Sequence, residues 1–216
     1  MHSNFNPSAL AIHTTSPELG LALRTSDGDT RCQTWNLGRD LSTQLHAYLA
    51  EFIRPQTWSD LDFLAVAKGP GSFTGTRIGV VTARVLAQQF DVPLFSLSAL
   101  AAWVHDRQQR DETIPEGVDL AVQMSAARAQ FFVGIYKFAD SQLVTLLPDT
   151  VMSLEQWQDT LDRWSSDYYL MKADADMGRS VSSLLDLADL EWQQGRRPTW
   201  WEAVPFYGQH PVKGAV

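Results

Sequence analysis

Three strand-length apolar runs precede the first helical spacing, and the same order returns after residue 117. This ordering constrains the fold more than any single residue does. Residues 9–14 form a short apolar run, and residues 19–24 alternate as a strand does. Asp27-Gly28 is a hairpin turn signal, and residues 30–36 return as a third strand. Leu41, Leu45, Tyr48, Leu49 and Phe52 recur at helical spacing, and Pro55, which has no N–H to donate, closes that helix. The periodicity then predicts a buried strand at 61–67, a helix at 74–90, a strand at 93–97 and a helix at 99–107. A polar linker follows at 106–117. Beyond it come strands at 118–123, 130–138 and 142–147, a helix at 154–164, a strand at 168–171 and a helix at 179–192. The expectation is an α/β protein of two tandem βββαβα domains, 1–105 and 117–216, each a mixed sheet flanked by helices.

Charge limits the partners. Seventeen basic residues against 25 acidic ones leave a net charge of −8. A chain that grips nucleic acid unaided carries a basic surplus, because neutralised phosphates supply most of the affinity. Any work on RNA is therefore expected to borrow a basic surface from another subunit. Cys32 is the only cysteine, which rules out an internal disulfide and a cysteine-rich metal site. The first 16 residues have neither a basic flank nor a long apolar run. No stretch approaches the ~18 apolar residues of a membrane span, so a cytoplasmic protein with no membrane contact is expected.

The most distinctive block is Lys68-Gly69-Pro70-Gly71-Ser72-Phe73-Thr74-Gly75-Thr76-Arg77-Ile78-Gly79, which leaves a strand and opens a helix. Backbone N–H groups can cradle an anion in that setting. A Walker-type loop needs lysine and a hydroxyl residue after its last glycine, but Thr76 and Arg77 follow Gly75. A dinucleotide fingerprint needs a third glycine where Thr74 stands, and the preceding meander is wrong for it. What remains is a tight turn with Ser72 or Thr74 as the helix N-cap.

The helix that follows carries two separate apolar stripes. Gly75, Gly79, Ala83 and Ala87 recur every four residues as a ridge of small side chains. Each helical glycine costs about 1 kcal/mol relative to alanine, so close approach of another backbone is expected there. Val80, Ala83, Ala87 and Phe90 can face the sheet. Ile78, Val81 and Val85 form a second stripe, with Arg77, Arg84 and Gln88 between the two. That second stripe is either buried under the preceding helix or docks a partner. The partner reading takes Gly75, Arg77, Ile78, Gly79, Val81, Thr82 and Val85 as the interface.

No self-sufficient catalytic set emerges. His2, His13, His46, His105 and His210 are scattered, with no pair at metal-binding helical spacing. There is no nucleophile elbow, and Ser72 has no assignable base. His13 is expected to be a hydrogen-bonded turn residue. The pairs Asp60/Asp62 and Asp174/Asp176 are expected in solvated loops. Trp157, Trp164, Trp192, Trp200 and Trp201 are expected to pack as core or helix-facing residues. No catalytic and no metal-ligating residue is assigned.

The block from Lys68 to Gly79 resembles the signature of the TsaB family, the accessory subunits of the bacterial machinery that makes threonylcarbamoyladenosine in tRNA. ALAIHTTSPELGLAL, GRDLSTQL, VPLFSLSALAAW, SAARAQFFVGIY and PFY resemble further segments of that family. The resemblance implies the actin-like ATPase, or ribonuclease H-like, architecture shared by actin and sugar kinases. It also implies a non-catalytic scaffold that pairs with a TsaD-like catalytic subunit through first-domain helices. A TsaE-like ATPase joins that pair, and tRNA is met only through the complex. A homodimer can use the same surface. No intrinsic cofactor is implied, and a nucleotide is implied only in complex with the partner. The alternative is an autonomous ATPase or a glycoprotease-like peptidase. Against the family pattern, His13 and Ser125 stand where aspartate is usual, Leu41 where histidine is frequent, and Gln130 where glutamate is.

Overall fold

The computed structural model describes residues 6–139, 142–173 and 176–208. In the first half, β1 (Ala9–His13), β2 (Glu18–Arg24) and β3 (Thr30–Asn36) make an antiparallel meander. After α1 (Leu41–Phe52), β4 (Phe63–Ala67) pairs parallel to β1. After α2 (Phe73–Phe90), β5 (Leu94–Leu97) pairs parallel to β4, and α3 (Ala99–Arg110) closes the half. The sheet order is β3-β2-β1-β4-β5. The second half runs β6 (Asp119–Ser125), β7 (Gln130–Ala139), β8 (Gln142–Ser153), α4 (Leu154–Asp162), β9 (Tyr168–Lys172) and α5 (Val181–Gln193), with sheet order β8-β7-β6-β9. Both halves share the βββαβα order, and the first adds the pair β5–α3.

The central strands are apolar because helices cover both of their faces. All five residues of β1 and of β4 are buried, as parallel strands between helix layers must be. On one face, Leu45 and Leu49 of α1 and Val80, Ala83 and Ala87 of α2 pack with Leu10, Ile12, Leu64 and Val66. The other face is covered from the second half: α5 lies across β1, β2, β4 and β5. In turn α3, the last helix of the first half, lies against β6, β7 and β8, and the two helices touch. One hydrophobic cluster therefore joins Ala9, Phe63 and Phe95 to Leu120, Val122 and Met171 through Leu184 and Leu185. Arg24 of β2 fixes α5 by reaching Asp186 at 2.7 Å and Asp189 at 3.0 Å.

Two boundaries differ from the sequence expectation by more than two residues. The linker begins later than residue 106, because α3 continues to Arg110 with His105 and Asp106 buried on it. Strand β8 continues through Pro148 to Ser153. Proline is tolerated there because β8 is an edge strand and its pairing with β7 shifts register between Val133 and Ile135.

Candidate functional site

The glycine-rich loop is held by its own chain. Ser72 is the N-cap of α2, its Oγ accepting from the Gly75 N–H at 3.2 Å, while Thr74 lies inside the helix. The Ser72 N–H donates to the Thr15 carbonyl at 2.6 Å, and the Thr76 N–H to the Ser72 carbonyl at 2.9 Å. Gly69 accepts from Ala99 at the start of α3 (2.8 Å), and Lys68 accepts from the Phe206 N–H at 2.6 Å. A β-carbon at Gly69 would overlap the Phe206 carbonyl oxygen, and one at Gly71 the Thr15 carbonyl oxygen. Pro70 is buried between them. The N–H groups of Ser72, Gly75 and Thr76 are thus engaged internally.

The same geometry corrects the reading of the small-residue ridge. A β-carbon at Gly75 would overlap the Thr14 carbonyl oxygen, and one at Gly79 the Thr14 hydroxyl. Thr14 in turn donates to the Gly75 carbonyl at 2.8 Å. Gly75, Gly79 and Thr82 are buried within the chain, so the close approach that the glycines permit is made by the β1–β2 turn. Of the three, only Thr82 reaches the groove beside α1.

The second stripe points outward. Val81 is 51% exposed and Val85 60%, although both sit on a helix packed against its sheet. Burial under α1 does not occur for them; Ile78 is half-buried. With Arg77, Thr82 and Leu86 they line a shallow groove whose other wall is Ser42 and His46 of α1. Arg77 closes one end. Its guanidinium lies 4.5 Å over the Phe73 ring, and its Nε donates to the Tyr207 hydroxyl at 3.3 Å. Tyr207 also packs on Phe73, with ring centroids 4.7 Å apart. The chain after α5 therefore runs across the loop to the edge of the groove.

His13 is not the hydrogen-bonded turn residue expected. It is the last residue of β1, fully buried, and neither ring nitrogen has a partner. Burial alone pushes its pKa down to about 3, so the ring stays neutral. Thr15 Oγ1, Thr76 Oγ1 and Glu18 Oε2 are buried without partners as well. His46 is exposed, and His105 is buried beside Phe138 with Gln109 at 3.3 Å. His2, His210 and Asp174 lie outside the described residues. Among the described residues, no three His, Cys, Asp or Glu side chains come together as a metal set. Asp60 and Asp62 have structural partners: Asp60 caps the 3-10 turn Trp58–Asp60 through Thr57, and Asp62 accepts from the Ser8 N–H at 2.8 Å. Of the family departures, Leu41 is buried, Ser125 is exposed and Gln130 pairs with Ser153 across the sheet. Trp157 fills the third core cluster and bonds Gln123, Trp164 bonds Asp119, and Trp192 stacks on Phe63. Trp200 is half-buried, whereas Trp201 is 58% exposed.

Sequence reasoning missed one cluster. The shift in β8 brings Asp149 to the Tyr136 hydroxyl, which also meets Ser98 Oγ, the N-cap of α3, at 3.3 Å. Burial pushes the Asp149 carboxyl up, while the hydrogen bonds of Ser98 and Tyr136 and the charge of Lys68 pull it partly back down. No local pattern could have announced this, because the groups come from the end of β4, the N-cap of α3, β7 and β8.

Comparison with known proteins points in one direction. The profile of the family described as "TsaD: tRNA N6-adenosine threonylcarbamoyltransferase" matches residues 43–181. The "tRNA threonylcarbamoyladenosine biosynthesis protein TsaB" of Bacillus subtilis is 32% identical over 157 residues, 70% of this chain. The match spans 65% of that relative's length. Two Pseudomonas aeruginosa structures share the fold. YeaZ superposes with a TM-score of 0.75 at 20% identity, over 93% of this chain and 100% of that one. A protein "with similarity to peptidase YEAZ" gives 0.77 at 19%, over 94% and 100%. No helix among the described residues is long and apolar enough to cross a membrane.

Proposed function

Because this chain belongs to the TsaB family, we propose that it serves tRNA threonylcarbamoyladenosine biosynthesis as a non-catalytic scaffold. It docks a TsaD-like catalytic subunit through the outward face of α2. The observation that carries this reading is the exposure of Val81 and Val85 beside Ile78, on a groove that ends in Arg77. An apolar stripe on the outer side of a helix that already packs its inner side is the ordinary form of a helix–helix docking surface.

Two further features support the scaffold role over autonomous turnover. The glycine-rich loop has three of its N–H groups engaged within the chain, and His13 stands buried and neutral where the related ATPases use an aspartate. On this reading the chain carries no cofactor of its own, and a nucleotide is held only where it meets its partner. A TsaE-like ATPase joins the pair, tRNA is reached through the complex in the cytoplasm, and the chain alone can pair with a second copy. The net charge of −8 agrees with leaving RNA contact to the partner.

The test is size-exclusion of the purified chain mixed with the TsaD-like subunit of the same organism, using the natural chain and Val81→Asp. Co-elution of the natural chain and separation of the variant are expected. An unchanged complex would refute the assigned surface. Nucleotide or peptide turnover by the single chain that vanishes on replacing Ser72 or His13 would refute the scaffold role.

A further inference from the structure

The chain beyond α5 runs along α2 as a strap. Trp200 lies under the Arg84 guanidinium, 5.4 Å from it, and Ala203 is fully buried in the cluster that holds Val80, Ala83 and Ala87. Tyr207 meets Arg77 and Phe73. Residues 200–207 of the strap therefore run antiparallel to residues 84–77 of the helix. At about 100° per residue, Arg84 and Thr82 lie on opposite sides of Val81. Thr82 and Leu86 face the groove shared with α1, so α1 flanks one side of the outward stripe and the strap flanks the other.

The strap carries apolar surface of its own. Glu202 lines the cleft between the two halves and accepts from the Thr199 N–H at 2.8 Å. Trp201 and Val204 line neither that cleft nor the α1 groove, and both face solvent. The Trp201 ring stands edge-on to Trp200, with centroids 5.5 Å apart. Of the ten exposed large apolar side chains among the described residues, five lie on α2 and the strap: Phe73, Val81, Val85, Trp201 and Val204. The apolar surface that a partner could cover is thus concentrated there, and a tryptophan at its rim is the residue type that most often anchors an interface.

Charge selects the occupant. Helix α2 contains no acidic residue although the chain has 25, and Arg77 and Arg84 are its only charges. Both guanidinium groups rest on aromatic rings, Arg77 on Phe73 and Tyr207 and Arg84 on Trp200. The groove lining adds His46 and no carboxylate. Of the acids on neighbouring positions, Asp91 is the C-cap at the far end of α2, Asp40 precedes α1, and Glu51 lines a different groove with Arg31 and Arg54. Two copies joined α2 to α2 would bring four arginines together with no carboxylate from either helix. A partner helix that flanks its apolar stripe with carboxylates is complementary where a second copy is not.

Resting on the docking role just proposed, we infer that the site is a composite of α2 and the strap, and that it takes an acid-flanked apolar helix of the TsaD-like subunit. Trp201 and Val204 grip one side of that helix, and Arg77 and Arg84 pair with its carboxylates.

The experiment is calorimetric titration of the full-length chain with the TsaD-like subunit of the same organism, in about 50 mM and about 500 mM sodium chloride. Trp201→Ala is expected to weaken Kd about tenfold or more and Val204→Ser about threefold. Both side chains face solvent, so each variant should unfold within about 2 °C of the natural chain. Val144→Ser, exposed on β8, should bind as the natural chain does. Salt should weaken the natural complex about fivefold, and Arg84→Met should weaken it about threefold at low salt but not at high salt. The proposal falls if Trp201→Ala and Val204→Ser both stay within about twofold while Val81→Asp still breaks the complex, which would leave docking to the helix alone. If Val81→Asp is silent too, the docking role falls with it. A complex indifferent to salt and to Arg84→Met would overturn the acidic flank. Self-association that depends on Trp201 and matches the mixed complex at low salt would assign the surface to a second copy instead.

Discussion

Thr14 and Gly75 hold each other across 61 positions of sequence. The threonine hydroxyl donates to the glycine carbonyl at 2.8 Å, and the glycine's missing side chain leaves room for the threonine carbonyl. One helical turn on, Gly79 receives the same Thr14 side chain. Gly79→Ala should therefore cost about 2 kcal/mol in urea unfolding of the isolated chain, with no partner present. In a Thr14→Ala background most of that cost should disappear, giving a coupling of about 1 kcal/mol or more. Equal costs in both backgrounds would mean that something other than Thr14 fills the notch.

Adjacent valines on α2 should behave oppositely. Val80 is fully buried against the sheet, whereas Val81 is half in solvent. Val81→Asp should leave stability within about 0.5 kcal/mol. Val80→Asp should cost about 3 kcal/mol or more, since it buries an unpaired carboxylate. Chemical denaturation of the two variants separates folding from docking before any complex is assembled.

Arg24 ties a strand of one half to the closing helix of the other. Its guanidinium is 15% exposed and engages two carboxylates, while Asp189 Oδ1 is already without a partner. Arg24→Met would leave Asp186 and Asp189 facing an apolar stem and should cost about 3 kcal/mol, measured by denaturant unfolding. Arg24→Lys should recover only part of that, because one ammonium cannot span both carboxylates as the fork does.

His13 gives the chain a dependence on acid. Its folded pKa lies at about 3, below the unfolded value near 6.5. The unfolded chain therefore takes up a proton that the folded one refuses, so stability is full above pH 6.5 and falls as pH drops from there toward 3. Between pH 7.5 and 4.5 the loss from this residue should be about 2–3 kcal/mol. His13→Leu should be at least as stable at pH 7.5, since it removes two orphaned nitrogens. The difference between the two chains should widen by that amount at pH 4.5. A gap that stays constant with pH would show that the imidazole is not desolvated.

Much of the fold was legible because its elements are written in local periodicity. Buried β1 and β4 are continuous apolar runs, α1 and α2 repeat at helical spacing, and the cap of α2 was narrowed to Ser72 or Thr74, of which Ser72 serves. Polarity misled where burial overruled it: Asp106 read as the start of the linker yet lies buried inside α3. The third strand of the second half was expected to end at residue 147, but an edge position and a register shift carried β8 past Pro148 to Ser153. The glycine ridge was visible in the sequence and its occupant was not, since spacing along a helix says nothing about which distant turn will lie in the notch. The outward stripe was legible as a stripe; only the packing of α1 and α2 decided that Val81 and Val85 stay uncovered.

The crossing of the closing helices has a consequence for how the chain is made. A ribosome delivers the first sheet early, yet the inner face carrying Ala9, Phe63 and Phe95 has no cover until Val181–Gln193 has emerged. For most of its synthesis the nascent chain displays a greasy plane awaiting its last helix. Fragments ending before that helix should be the forms that aggregate and call for chaperones.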